Sequence, residues 1–168
     1  IAGYSPTIGR LVGMLTYARS TTLASVEGLT LAELDHLHDE ESNSIGALLA
    51  HLVVTERSYQ ILTFERLLSP EENERWSIAL KLGAHGRRSL RGVPLGHYLE
   101  ELMVVRRTTL EALAARDDAW LERTVDFAPK LNAHWVWFHV AEHEINHRGQ
   151  IRWLRARLPK RESNDGVT

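Results

Sequence analysis

From Asn132 to Leu158 the chain holds one helical period without a proline, and Pro159 closes it. Val136, Val140, Ile151, Leu154 and Leu158 recur at spacings that return to one helical face, the signature of a long helix with one side to bury. Such a helix cannot stand alone in water, so other helices must cover that side. Woven into the same stripe is His139-Val-Ala-Glu-His143-Glu-Ile-Asn-His147-Arg-Gly-Gln150. Taking His139 as zero, His143 falls near 40° and His147 near 80°, while the apolar residues fall between about 60° and 120°. The imidazoles therefore point where the core should be.

The rest of the chain is also helical in rhythm. Ile8, Leu11, Val12, Leu15 and Leu23 predict a first helix over about 7–26, ended by Gly28. A polar connection follows, and Ser42, Asn43 or Ser44 is suited to cap a second helix over about 45–68, stopped by Ser69-Pro70. The glycines and arginines of 70–94 predict a long crossing connection with a short helix near 73–82. A third helix is expected over about 95–115, with Leu99, Leu102, Val105, Leu110 and Leu113 inward. Residues 117–130 read as a loop with at most one short helix, closed by Pro129, and Asn132 caps the fourth helix. Four long helices and one long crossing predict an all-α four-helix bundle. A single domain over 1–168 is expected, with its core at about 5–158 and a polar, frayed tail at 159–168.

Composition removes several function classes. The 168 residues include no cysteine, which excludes a disulfide scaffold, a cysteine–zinc site and a thiol nucleophile. Any metal must then be held by histidine and carboxylate. A net charge of −2 gives no polyanion-binding footprint. The one basic cluster, Arg87, Arg88 and Arg91, lacks interleaved aromatics and reads as a solvated loop, so no nucleic-acid partner is expected. No apolar run approaches the roughly 20 residues that span a bilayer. No signal peptide opens the chain, which begins at Ile1 in place of an initiator methionine and is expected to be trimmed. A soluble protein of the bacterial cytoplasm, with no membrane partner, is expected.

Burying unpartnered imidazoles costs roughly 1–3 kcal/mol for each unsatisfied group, and a shared metal ion removes that cost. A further ligand stands on the second helix: His51, in Leu48-Leu49-Ala50-His51-Leu52-Val53, points from the same side as Leu48, Leu52, Tyr59 and Leu62. One histidine plus an i,i+4 pair supplies three nitrogens and leaves the remaining positions of a divalent ion open. His139 and His147 are about 12 Å apart along the helix and cannot share one ion. The pairs 139/143 and 143/147 remain equal on spacing alone. His134, in the first turn, is a candidate pocket residue, whereas His36, His38, His85 and His97 read as surface or capping groups. Glu56, Glu142 and Glu144 lie off the centre of the histidine stripes and read as surface or interhelix partners, so no catalytic residue is assigned beyond the metal site.

Asn43-Ser44-Ile45 with Leu48-Leu49-Ala50-His51-Leu52, followed far downstream by His139-x-x-x-His143-x-x-x-His147-Arg148-Gly149-Gln150-Ile151, resembles the DinB-like four-helix bundle superfamily. The likeness covers about residues 5–158. It implies an up-down-down-up bundle and a divalent ion, zinc or nickel, on His51, His143 and His147. His139 then becomes a pocket neighbour, and Gln150 a hydrogen-bond partner for a ligand or a bound water. Gly149, off the stripe, is expected to allow close helix packing. The resemblance further implies a metal-dependent S-transferase acting on small electrophiles with a low-molecular-weight thiol such as mycothiol or bacillithiol as cosubstrate. A metal-dependent hydrolase or isomerase, and a non-enzymatic metal- or ligand-binding stress protein, fit the same residues. Homodimers are expected from related bundles.

Overall fold

A computed structural model describes residues 1–159, so the polar tail from Lys160 lies outside the described residues. Helix α1 (Pro6–Val26) opens with proline at its first position, where a missing N–H costs nothing. Gly28 (φ +72°) turns the chain away after it. The short α2 (Leu31–Asp35) follows inside the stretch expected to be a polar connection. Thr30 and Glu33 form a reciprocal capping box that starts it. Of the three cap candidates for α3 (Ile45–Gln60), Ser44 is the one used, accepting from the Ala47 amide. The helix loosens into a π turn (Ile61–Glu65) and stops at extended Arg66, short of the expected Leu68.

The crossing connection carries more helix than its glycines suggest. Ser69, read as a stop, is instead the cap of α4 (Pro70–Lys81), boxed with Glu72 and followed by Pro70. Leu82 (φ +53°) separates it from α5 (Gly83–Ser89), whose first residue Gly83 is also at positive φ. Helix α6 (Leu95–Ala114) buries Leu102, Val105 and Leu113, with Leu99 and Leu110 packed at the margin. The 117–130 segment carries more than the expected loop with one short helix. It holds α7 (Asp118–Leu121) and an antiparallel hairpin of β1 (Thr124–Val125) and β2 (Ala128–Asn132), with an irregular register between Thr124 and Val125. Asn132 ends the hairpin and caps α8 (Ala133–Arg155) through the Trp135 amide. The last turn of α8 closes three residues before the expected Leu158 because Ala156 and Arg157 already fold back as a turn.

The four long helices pack α1 on α8, α8 on α3, α3 on α6 and α6 on α1. Contacts between them give their relative runs. Arg19 meets Glu144, Arg148 meets Thr21 and Arg152 meets Ser25, so numbers rise together along α1 and α8. Glu56 meets Arg106, and Gln60 meets Val105 and Thr109, so they rise together along α3 and α6. His51 meets His143 and His147 while Tyr59 meets His139, so α3 runs against α8.

Two large apolar clusters fill the interior, and a smaller third joins Val125, Ala133 and Val136. One gathers Leu34, Ile45, Leu48, Leu52, Leu102 and Ile151; the other gathers Ile8, Leu11, Leu15, Leu113, Trp137 and Val140. Between them lies a buried ionic layer with one charge from each long helix: Arg19, Glu56, Arg106 and Glu144. Arg19 Nη2 donates to Glu56 Oε2 at 2.8 Å and Arg19 Nε to Glu144 Oε1 at 2.7 Å. Arg106 Nε donates to Glu56 Oε1 at 2.7 Å and Arg106 Nη2 to Glu144 Oε2 at 2.8 Å. Arg19 Nη1 donates to the Leu102 carbonyl, Arg106 Nη1 to the Leu15 carbonyl, and the Thr109 hydroxyl to Glu56. Burial pushes the Glu56 carboxyl up, but Arg106 and Arg19 together outweigh it and hold it below the ordinary range. Removing one member strands opposite charge in the core. Glu56→Ala is therefore expected to cost roughly 3–5 kcal/mol, read as a lowered denaturant midpoint.

Helix α1 is capped from a distance. Its own Ser5 side chain does not cap it. Instead Asp118 Oδ1 accepts from the Thr7 and Ile8 amides at 3.0 and 3.2 Å and from Ser5 Oγ at 2.5 Å. The Ser5 hydroxyl, and then the two amides, bring the Asp118 carboxyl down to about 2. Because the folded value lies below the ordinary aspartate value of about 3.9, the cap stabilises above that value and is lost as pH falls through 2. Asp118→Ala is expected to lower the thermal midpoint at neutral pH, and the gap from wild type should close as a pH series approaches 2.

Candidate metal centre

Helix α3 and helix α8 bring His51, His143 and His147 together, with one ring nitrogen from each lying within 4.8 Å of the others. His51 is buried on the α3 face that meets α8, and the i,i+4 pair on α8 sets its two rings edge to face with centroids 4.4 Å apart. The Nε2 atom of His143 sits 2.9 Å from that of His51 and 3.1 Å from that of His147.

The outer nitrogens decide what the inner ones can do. His51 Nδ1 lies 2.8 Å from the Ala79 carbonyl on α4. A carbonyl only accepts, so Nδ1 carries the proton and neutral His51 turns a lone pair inward. His147 Nδ1 is 3.2 Å from Gln150 Oε1 and donates there in the same sense. His143 has at most one Nε2 proton to share between two inward lone pairs. At least one lone-pair contact is thus left unsatisfied in a protein-only arrangement. A divalent ion satisfies all three. Tetrahedral zinc with Zn–N near 2.0–2.1 Å places its nitrogens roughly 3.3 Å apart, close to the two spacings through His143, and all three nitrogens lie within 4.8 Å of one another. The cluster fits the group.

Burial also keeps the rings neutral. It lowers His51 and His147, and it lowers His143 to about 3, where the neighbouring His147, His51 and His139 add to the effect. Neutral imidazole is the metal-binding form.

The other candidate residues divide. His139 is half-buried one turn from His143, their rings 5.7 Å apart. Its Nδ1 is 3.0 Å from Glu142 Oε2, Trp135 stacks on it at 4.9 Å, and Tyr59 meets its edge at 6.0 Å. His134 is exposed on the first turn of α8 and does not join the cluster. Glu56 and Glu144 belong to the ionic layer and Glu142 to His139. Gly149 corrects an expectation: a Cβ there would meet nothing within 4 Å, so it does not serve close helix packing. It lines a cavity of about 500 Å³ with Ser42, Asn43, Asn146, Gln150 and Trp153. The Ala79 carbonyl was not foreseeable, because a backbone acceptor leaves no mark in the sequence.

Together, fold and cluster define an all-α protein built around three convergent histidines compatible with a divalent ion. The family described as mycothiol-S-transferase matches residues 10–159, and the chain belongs to that family, in keeping with the DinB-like resemblance. No curated protein matches the chain. Among the described residues no helix is long and apolar enough to cross a membrane.

His51→Ala removes one inward nitrogen and a single bond to Ala79. It is expected to abolish retention of any divalent metal ion that the wild type holds, in elemental analysis of untagged protein. Its helical circular dichroism should match wild type.

Proposed function

We propose that the protein is a divalent-metal-dependent S-transferase that joins a low-molecular-weight thiol, mycothiol in keeping with its family, to small electrophiles. His51, His143 and His147 are the metal ligands in this reading, and zinc or nickel is the ion. The observation that carries it is the commitment of the His51 and His147 Nδ1 atoms to outer acceptors while all three Nε2 atoms converge. A divalent ion held there lowers the pKa of a bound thiol and makes thiolate available near neutrality.

The chain's own groups supply the rest. Ala79 and Gln150 orient two of the ligand rings, the usual task of partners behind metal-binding histidines. His139 stands beside the cluster, with Trp135 on its face and Tyr59 at its edge, and lines the pocket; His134 marks its outer rim. The cavity beside Gln150 offers room for the body of the thiol. Because the chain has no cysteine, the attacking sulfur belongs to the cosubstrate. The arrangement is read as a single up-down-down-up four-helix bundle working in the cytoplasm, and the relative runs of the helices support that order.

A metal-binding bundle without catalysis is the competing reading, supported by the engagement of Glu56, Glu142 and Glu144 elsewhere. The two separate in a cobalt-substituted protein. Added mycothiol is expected to shift the cobalt absorption bands, and conjugation of electrophilic test substrates should stop on chelation. Bands of a closed four-coordinate site, unmoved by thiol, would overturn the transferase.

A further inference from the structure

Thr55 lies one turn after His51 on α3 and is buried, and its Oγ1 has no hydrogen-bond partner among the described residues. A helical hydroxyl can return its hydrogen to the carbonyl four residues earlier; Thr55 and, on α1, Thr22 are buried threonines that do not. Two neighbours do so: Ser58 donates to the Val54 carbonyl at 2.8 Å and Thr63 to the Tyr59 carbonyl at 2.7 Å. A buried hydroxyl without a partner costs roughly as much as a lost hydrogen bond, so its direction calls for a cause.

Its place in the fold supplies one. Successive positions four apart rotate by about 40°, so His51, Thr55 and Tyr59 share one face of α3. Both ends of that row touch α8: His51 meets His143 and His147, and Tyr59 meets His139. Since the helices run in opposite senses, Thr55 falls between these contacts, level with the step from His143 to His139. The outer acceptors of the two flanking histidines are engaged by their own rings. The Ala79 carbonyl takes the His51 proton, and Glu142 holds His139.

We propose that the Thr55 hydroxyl is a hydrogen-bond donor to a small anionic ligand bound beside the His51–His143–His147 cluster, the sulfur of the thiol in the reaction proposed above. The inference rests on the metal-centre reading of that cluster. An O–H donor on this wall holds the ligand atom without supplying a charge, and valine at the same place would have the same shape and no donor.

The test uses the full chain loaded with cobalt, as wild type, Thr55→Val and Thr55→Ser, titrated separately with mycothiol and with azide and followed by absorption. A hydrogen bond to a charged group corresponds to a roughly 10- to 100-fold change in Kd. Thr55→Val is expected to keep one equivalent of cobalt and a thermal midpoint at or above wild type, while its Kd for both probes rises at least about tenfold. Thr55→Ser should return to within about threefold of wild type. If wild type ignores mycothiol but binds azide, the transferase reading falls, and the azide series alone decides the role of Thr55. Equal affinities in wild type and Thr55→Val would overturn the inference. So would a Thr55→Val protein that loses cobalt or melts earlier, and so would a wild type that binds neither probe.

Discussion

The four charges of Arg19, Glu56, Arg106 and Glu144 set the register on which everything else in the structure depends. Each long helix contributes one, and each guanidinium bridges both carboxylates. Apolar contacts alone tolerate a helix sliding by part of a turn, because leucine packs acceptably in several places. A buried bidentate ion network does not, since a shift leaves uncompensated charge in the core. The same helices carry the imidazoles. Glu144 follows His143 directly and Glu56 lies five residues after His51, so the layer that aligns α3 with α8 also aligns the three Nε2 atoms. Its value is specificity as much as stability.

Much of this was legible in the chain. Long helices announce themselves by period, and the starts of α3 and α8 fall at the cap candidates of 42–44 and at Asn132. What was missed has local causes. Thr30/Glu33 and Ser69/Glu72 are capping boxes whose signals were present but sat among loop residues and a Ser-Pro step that equally marks a stop. The hairpin at 124–132 is too short to show alternation. The π turn after Gln60 has no sequence rule of comparable strength.

The site was legible in a similar, partial way. Periodicity placed His51 and the α8 histidines on core faces, but spacing left two pairs open, and the structure gathers 143 and 147 with 51. Wheel angles put Glu56 and Glu144 off-centre without revealing that Arg19 and Arg106 turn inward to meet them, because long side chains reach across faces a wheel treats as separate. Gly149 shows the reverse error: an off-stripe glycine suggested close packing, whereas it opens toward a cavity.

The long-range cap on α1 has a consequence for how the chain comes to be folded. Its start is secured by Asp118, and its apolar face by Trp137, Val140 and Ala141. During synthesis this first long helix is therefore made well before the segments that complete it. Ile8, Leu11, Val12 and Leu15 wait uncovered until α7 and α8 are made, the condition under which nascent chains need protection from association. Such distant pairings also slow closure relative to a bundle of sequential hairpins. The architecture that holds the histidines in place is thus assembled late, when α8 docks and the three-histidine face appears in the same step.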